Sequence, residues 1–278
     1  MSNAPEIHNP LWLTTPTEKL RVWNEACEIA WQTPDVYSIP TAAQRDIEVL
    51  PPTLHPPKLG FSHAAGRARV IHDLASIELQ AMELALRTLV EFPEAPPEFR
   101  RSLRDLAINE GEHFALCLNT LADMDFQWGH WPIHNGLWDC VRSDDSLLDR
   151  VLLVHRFLEG SGLDAGFTLH QRLSGVKDAA MKNCIARIHR EELGHVQFGS
   201  RWFHHLSESS GKDPAAEFLA GVLRLLPRLP KRVEPLNVVL RSEAEFTPRE
   251  IEICQKLRSY FLAPKIERDQ FSESWWTG

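Results

Sequence analysis

Apolar residues recur at three- and four-residue steps along four long stretches of the chain, roughly 65–91, 98–123, 144–173 and 176–208, and this spacing predicts four amphipathic helices. The first carries Val70, Ile71, Leu74, Ile77, Ala81, Leu84 and Ala85 on one face. A shorter leading helix is predicted over 17–32, stopped by Thr33-Pro34. From Pro34 to Pro57 the chain holds Pro34, Pro40, Pro51, Pro52, Pro56 and Pro57, which forbids a long helix and predicts an extended arm across the others. Past Gly211 the pattern gives a helix near 213–226, an irregular stretch from Pro227 to Phe246, and a last helix opening at Thr247-Pro248-Arg249-Glu250. That opening has the spacing of a capping box, with proline at the first helical position.

The links set the order of packing. The 91–98 link is short and proline-punctuated and Ser174-Gly175 is shorter still, so each flanking pair reads as an antiparallel hairpin. The longer 124–143 link, with Phe126, Trp128, Trp131 and Trp138 around His130 and His134, reads as a crossover between hairpins. The expected architecture is all-α: a four-helix bundle over 61–210, an N-terminal helix and proline-rich arm over 1–60, and a helical extension over 211–278. The apolar Trp275-Trp276 tail is expected to dock.

Polar residues that interrupt the apolar faces carry the chemistry. Glu78 breaks the first stripe, Glu110 lies among Leu106, Phe114 and Cys117, and Glu192 lies among Ile185, Ile188, Val196 and Phe198. An isolated charge in a bundle core costs several kcal/mol unless it is paired or coordinated. Glu110 and Glu192 each open a Glu-x-x-His, ending at His113 and His195. On a helix that spacing puts both side chains on one face a turn apart, where they can grip one ion. A bundle di-metal site needs one further glutamate from each of two other helices. Glu78 precedes Glu110 by 32 residues and Glu159 precedes Glu192 by 33, so both halves repeat the same layout. The expected metal ligands are Glu78, Glu110, His113, Glu159, Glu192 and His195, with Glu110 and Glu192 as bridges.

Two divalent ions would balance four carboxylates, leaving a near-neutral site that tolerates burial. The mixed oxygen and nitrogen donors suit iron or manganese better than zinc or calcium. Two irons are the expected cofactor, with Fe/Mn or Mn/Mn as options, and the expected reactants are dioxygen or peroxide with an unspecified small substrate and electron donor.

Composition narrows the field. The 278 residues, 43% of them hydrophobic, can bury a full core. A formal charge of −8 argues against a general nucleic-acid or anionic-membrane binder. Met1–His8 has neither a basic nor an apolar leader region and no stretch is long enough to span a bilayer, so the cytoplasm is the expected compartment. Cys27, Cys117, Cys140, Cys184 and Cys254 are odd in number and dispersed, which predicts reduced thiols. A homodimer stays open.

Five runs resemble the ferritin-like family known as domain of unknown function 455, over most of residues 57–245. They are Gly66-Arg-Ala-Arg-Val-Ile-His72 leading to Ile77-Glu78-Leu79; Glu110-Gly-Glu-His113-Phe114; Trp131-Pro-Ile-His134-Asn-Gly-Leu-Trp138; Leu158-Glu159 with Gly162-Leu-Asp164; and Glu192-Leu-Gly-His195-Val. The resemblance implies a ferritin-like four-helix bundle holding a di-metal carboxylate centre, and implies no substrate. The chain departs from the family at Ser76, where a second histidine is usual, and at Gly160-Ser161, where an Ala-Arg follows the glutamate. Gly160 and Gly162 are expected to kink or bulge the helix near Glu159.

The leading reading is a di-iron or iron/manganese oxidoreductase. The alternative is an iron-handling or ferroxidase protein without an organic substrate, and a third is a structural bundle whose metal only stabilises. His72, His155 and His189, near the ligand-bearing turns, read as structural residues or else as partners of the ligands or an extra ligand, and His134 as a packing residue or else one that lines the pocket. Gly160-Ser-Gly162-Leu-Asp-Ala165 imitates a dinucleotide fingerprint but lacks the required strand. Pro227–Arg232 reads as a solvated connector, and Arg100, Arg101 and Arg104 as an ordinary charged face.

Overall fold

A computed structural model describes residues 9–33, 35–231, 233–268, 271, 275 and 276. Met1–His8, Pro34 of the helix stop and Arg232 of the connector lie outside the described residues. The described residues are helical with no strand, and Val49 and Ile133 form an isolated parallel bridge. No helix among them is long and apolar enough to cross a membrane. The chain divides into two units, one formed by 1–143 with 176–185 and the other by 144–175 with 186–278.

The first unit holds α1 (Pro16–Gln32), α2 (Ala64–Glu91), α3 (Pro97–Asp123) and the start of a later helix. Thr15 caps α1 by accepting the Glu18 N–H, with Pro16 at the first helical position. Helices α2 and α3 pack along their lengths and α1 lies on them. The indole of Trp23 crosses α3 at Gly111, where a Cβ would sit 2.6 Å from the ring, and its Nε1 donates to the Ala107 carbonyl at 2.7 Å. Glycine at that point lets α1 press on the turn that carries Glu110 and His113. Gly111→Ala gains about 1 kcal/mol of helix propensity but overpacks the indole, and we expect a net loss of roughly 1–3 kcal/mol in urea unfolding.

Arg100 corrects the reading of a solvated face. It is buried and donates to the Ala30, Trp31, Leu89 and Phe92 carbonyls, tying the ends of α1 and α2 to α3. The proline-rich arm is fixed by Arg45, which meets Glu83 at 2.7 Å, while Lys19 reaches the same carboxylate at 2.9 Å. The arm is joined to the aromatic link through Leu50 and Ile133, whose N–H groups donate to Ile133 and Glu48 carbonyls. Gln80 holds that link in turn, accepting from the Leu137 and Trp138 N–H groups and donating to the His134 carbonyl.

In the second unit, α4 (Leu147–Val151) runs through a π-helical segment, Leu152–Leu158, into α5 (Glu159–Arg172). Helix α6 (Ala179–Ser209) begins in the first unit, where the Asp178 side chain accepts the Met181 N–H, and continues in the second. There follow α7 (Pro214–Leu225), α8 (Val238–Glu243), α9 (Pro248–Leu262) and the short α10 (Lys265–Arg268). The capping box at Thr247 forms as its spacing predicts. Trp276 is buried and its carbonyl accepts from Arg249 and Lys256, so the apolar tail does dock.

The core of this unit is organised around charge. The Arg156 guanidinium, fully buried, lies over the rings of Phe203, Phe218 and Phe246 and donates two parallel bonds to Glu250, of 2.6 and 3.0 Å. Arg241 pairs with Asp164 at 2.7 Å and occupies the space a side chain at Gly160 would need.

Candidate metal centre

Helix α2 carries Glu78, α3 carries Glu110 and His113, and α6 carries Glu192 and His195. The Nδ1 of His113 lies 3.4 Å from Glu78 Oε2 and 3.5 Å from Glu110 Oε2. The Nδ1 of His195 lies 3.7 Å from Glu192 Oε2. One ligand atom from each of Glu110, His113, Glu192 and His195 falls within 4.8 Å of all the others. Donors bonded to one ion at about 2.1 Å stand up to roughly 4.2 Å apart, so this group could hold a metal after small side-chain movements. Glu110, His113 and His195 are buried and Glu192 is partly so. Two carboxylates and two neutral imidazoles present two negative charges, which a divalent cation cancels. The donor set therefore fits such an ion.

Glu78 borders this group through His113. Glu159 is not among the four: its Oε1 lies 2.8 Å from Nδ1 of His155, one turn earlier. Glu159 Oε2 and His155 Nε2 are buried and have no hydrogen-bond partner among the described residues. His155, which the sequence offered as a structural residue or as a partner of the ligands, thus touches the predicted ligand four residues further on. The helix distortion expected at Gly160 and Gly162 is found just ahead of them, as the π-helical turns of 152–158. A π segment shifts the facing of everything after it, and such segments are frequent at functional sites. Gly199 accommodates the widened backbone, since a Cβ there would come within 2.7 Å of His155 Cβ.

The local field favours a cation. Burial alone pushes the His113 imidazole down, but the adjoining Glu110 and Glu78 carboxylates outweigh it and raise the group to about 11. Cys117 and Cys184, with Sγ atoms 4.0 Å apart, are reduced and buried, and burial pushes the Cys117 thiol up.

The remaining histidines have structural partners. His134 Nδ1 accepts the Gly136 N–H. The ring of His189 lies against Gly166, and burial lowers its pKa. His72 is fully buried, stacked on Trp128, and its Nε2 accepts the Gly129 N–H at 3.3 Å. Burial lowers it to about 4 from 6.5. A neutral native histidine stabilises fully above pH 6.5, and the unfolded chain takes up its proton first as pH falls towards 4. This costs roughly 3 kcal/mol across that window. In urea unfolding at pH 7 and pH 4.5, His72→Phe should therefore lose much less stability on acidification than the parent protein.

A helical protein with a buried Glu/His group that could hold a metal is the class that fold and site define. The chain belongs to the family described as "Protein of unknown function (DUF455)", whose model matches residues 12–252. It is 32% identical over 216 residues to a protein of Haemophilus influenzae described as an uncharacterized protein, covering 73% of this chain and 74% of that one. No solved structure matches it.

Proposed function

We propose that the protein is a non-haem di-metal oxidoreductase with a ferritin-like four-helix core, acting with dioxygen or peroxide on a small substrate. Its ligands would be Glu78, Glu110, His113, Glu159, Glu192 and His195. The observation that carries the reading is the convergence of Glu110, His113, Glu192 and His195 within 4.8 Å. Glu78 stands at His113, within reach of the same centre. Glu159 would join through its partnerless oxygen while His155 Nδ1–H holds the other one and fixes the carboxylate plane. Iron is favoured over zinc because the donors are oxygen and nitrogen without sulfur. A ferrous pair, when bound, supplies two electrons to dioxygen or peroxide. The buried glutamates set the charge of the cage, and the apolar faces around them exclude bulk water.

The test is metal content by mass spectrometry after expression with iron and manganese both supplied, followed by anaerobic reduction and oxygen exposure with uptake recorded at an electrode. Close to two redox ions per chain and about one dioxygen consumed per pair are expected. Protein that retains only zinc, or reduced metal that oxygen leaves unchanged, would overturn the assignment.

A further inference from the structure

A second candidate site lies wholly within the second unit and involves none of the proposed metal ligands. Leu152 and Phe157 of the π segment, Phe218 and Val222 of α7, and Leu257 and Phe261 of α9 wall a pocket of about 540 Å3, a volume that includes its open mouth. With the mouth left out, the enclosed part is smaller than that and suits one ring or a short branched chain better than a long acyl tail.

The polar atoms of this pocket are unbalanced towards donors. Arg241 spends Nε and Nη2 on Asp164 and Nη1 on the Arg156 carbonyl. The Ser161 hydroxyl donates to the Phe157 carbonyl. Arg156 gives both terminal nitrogens to Glu250, yet its Nε–H, in a side chain with no exposure, has no partner among the described residues. At the mouth, Arg258 uses Nε on the Val233 and Glu234 carbonyls and forms no ion pair with a carboxylate among the described residues. The one acidic group on the rim, Glu234, is exposed and accepts the Val233 N–H. A buried donor left unmade costs roughly 1–3 kcal/mol, and Arg258 adds a cation that no carboxylate among the described residues answers, so the pocket is short of acceptors.

We propose that this pocket binds a small monocarboxylic acid with a single-ring or branched apolar body, its carboxylate at Arg258. The guanidinium fork of Arg258 matches a carboxylate and lies where the charge keeps part of its hydration. The deeper Arg156 is already neutralised by Glu250, so a second carboxylate there would be repelled by the first. Its Nε–H serves a neutral acceptor or a water. A cationic ligand is disfavoured because Asp164 is committed to Arg241.

Phenylacetate and its uncharged isostere phenylacetamide, titrated by calorimetry and ligand-observed NMR into the full-length protein, test the proposal. Saturable one-to-one binding of phenylacetate is expected, at least tenfold tighter than the amide, and weakened at least tenfold by Arg258→Gln but less by Arg258→Lys. Val222→Trp fills the cavity and should abolish binding; if that variant does not fold, Leu257→Phe replaces it. Equal binding of acid and amide, insensitivity to Arg258→Gln, or no binding of phenylacetate, benzoate or isovalerate, the pocket then holding water alone, overturns the proposal. These outcomes do not depend on metal, so either reading can fail without the other.

Discussion

The Glu110→Gln/Glu192→Gln double variant should lose metal retention altogether while keeping its helical content. Both carboxylates belong to the converging group of four, and glutamine keeps their volume but removes the charge that balances a divalent ion. In the parent protein, an ion at one hundred times its dissociation constant adds about 2.7 kcal/mol of stability. For a chain of this size that is a rise of roughly 5–10 °C in melting temperature, reversed by a chelator. In the double variant the rise should vanish. The metal-free variant should be at least as stable as the metal-free parent, because removing crowded buried carboxylates relieves their desolvation. Melting curves of both proteins with and without added Fe(II) under anaerobic conditions check both halves. A metal-dependent rise that survives the double substitution would place the ion elsewhere.

Glu250→Ala should be the most damaging single change in the second unit, at roughly 3–5 kcal/mol, because it strands the fully buried Arg156 cation. The same side chain accepts from His204 at 2.9 Å and from the Thr247 N–H at 2.8 Å, so the variant also loses one of the two bonds of the α9 capping box. Replacing both partners, as Arg156→Met/Glu250→Leu, should recover most of the loss, since it removes the stranded charge and leaves apolar bodies among Phe203, Phe218 and Phe246. Burial pushes the Glu250 carboxyl up, but bonds from His204 and Arg156 outweigh it and hold it at about 2. A carboxylate depressed in the native state stabilises above its unfolded value of 4.5, and that contribution fades as pH falls from 4.5 to 2. The wild-type protein should therefore lose roughly 3 kcal/mol through this group in acid unfolding, and the double variant should not. Chemical denaturation at pH 7, pH 4 and stepwise down to pH 1.5 measures each quantity.

Much of the helical layout was legible in the chain. The patterns at 65–91 and 98–123 correspond to α2 and α3 within a residue or so, because a 3.6-residue apolar repeat is a local property of a long segment. The other pair start later than the pattern implied, at Leu147 and Ala179, because Ser146 and Asp178 accept the first-turn N–H groups and set the boundaries. Arg100 was misread for a related reason. Its neighbours in sequence are charged, and only the carbonyls of Ala30 and Leu89, brought in by other helices, make it an interior residue.

The sequence by itself determined the helices and the two Glu-x-x-His turns, since three residues of helix place two side chains on one face whatever surrounds them. Only the tertiary structure decided that the two turns converge, that Glu159 turns to His155, and that Arg156 closes on a carboxylate 94 residues away. Hydrogen-bond partners and the burial of charge depend on which distant surfaces meet, and periodicity along one segment carries no record of them. The π-helical turns before Glu159 belong with these: a change in helical register is held by packing, here at Gly199 and His155, and leaves only a pair of glycines as its trace in the chain.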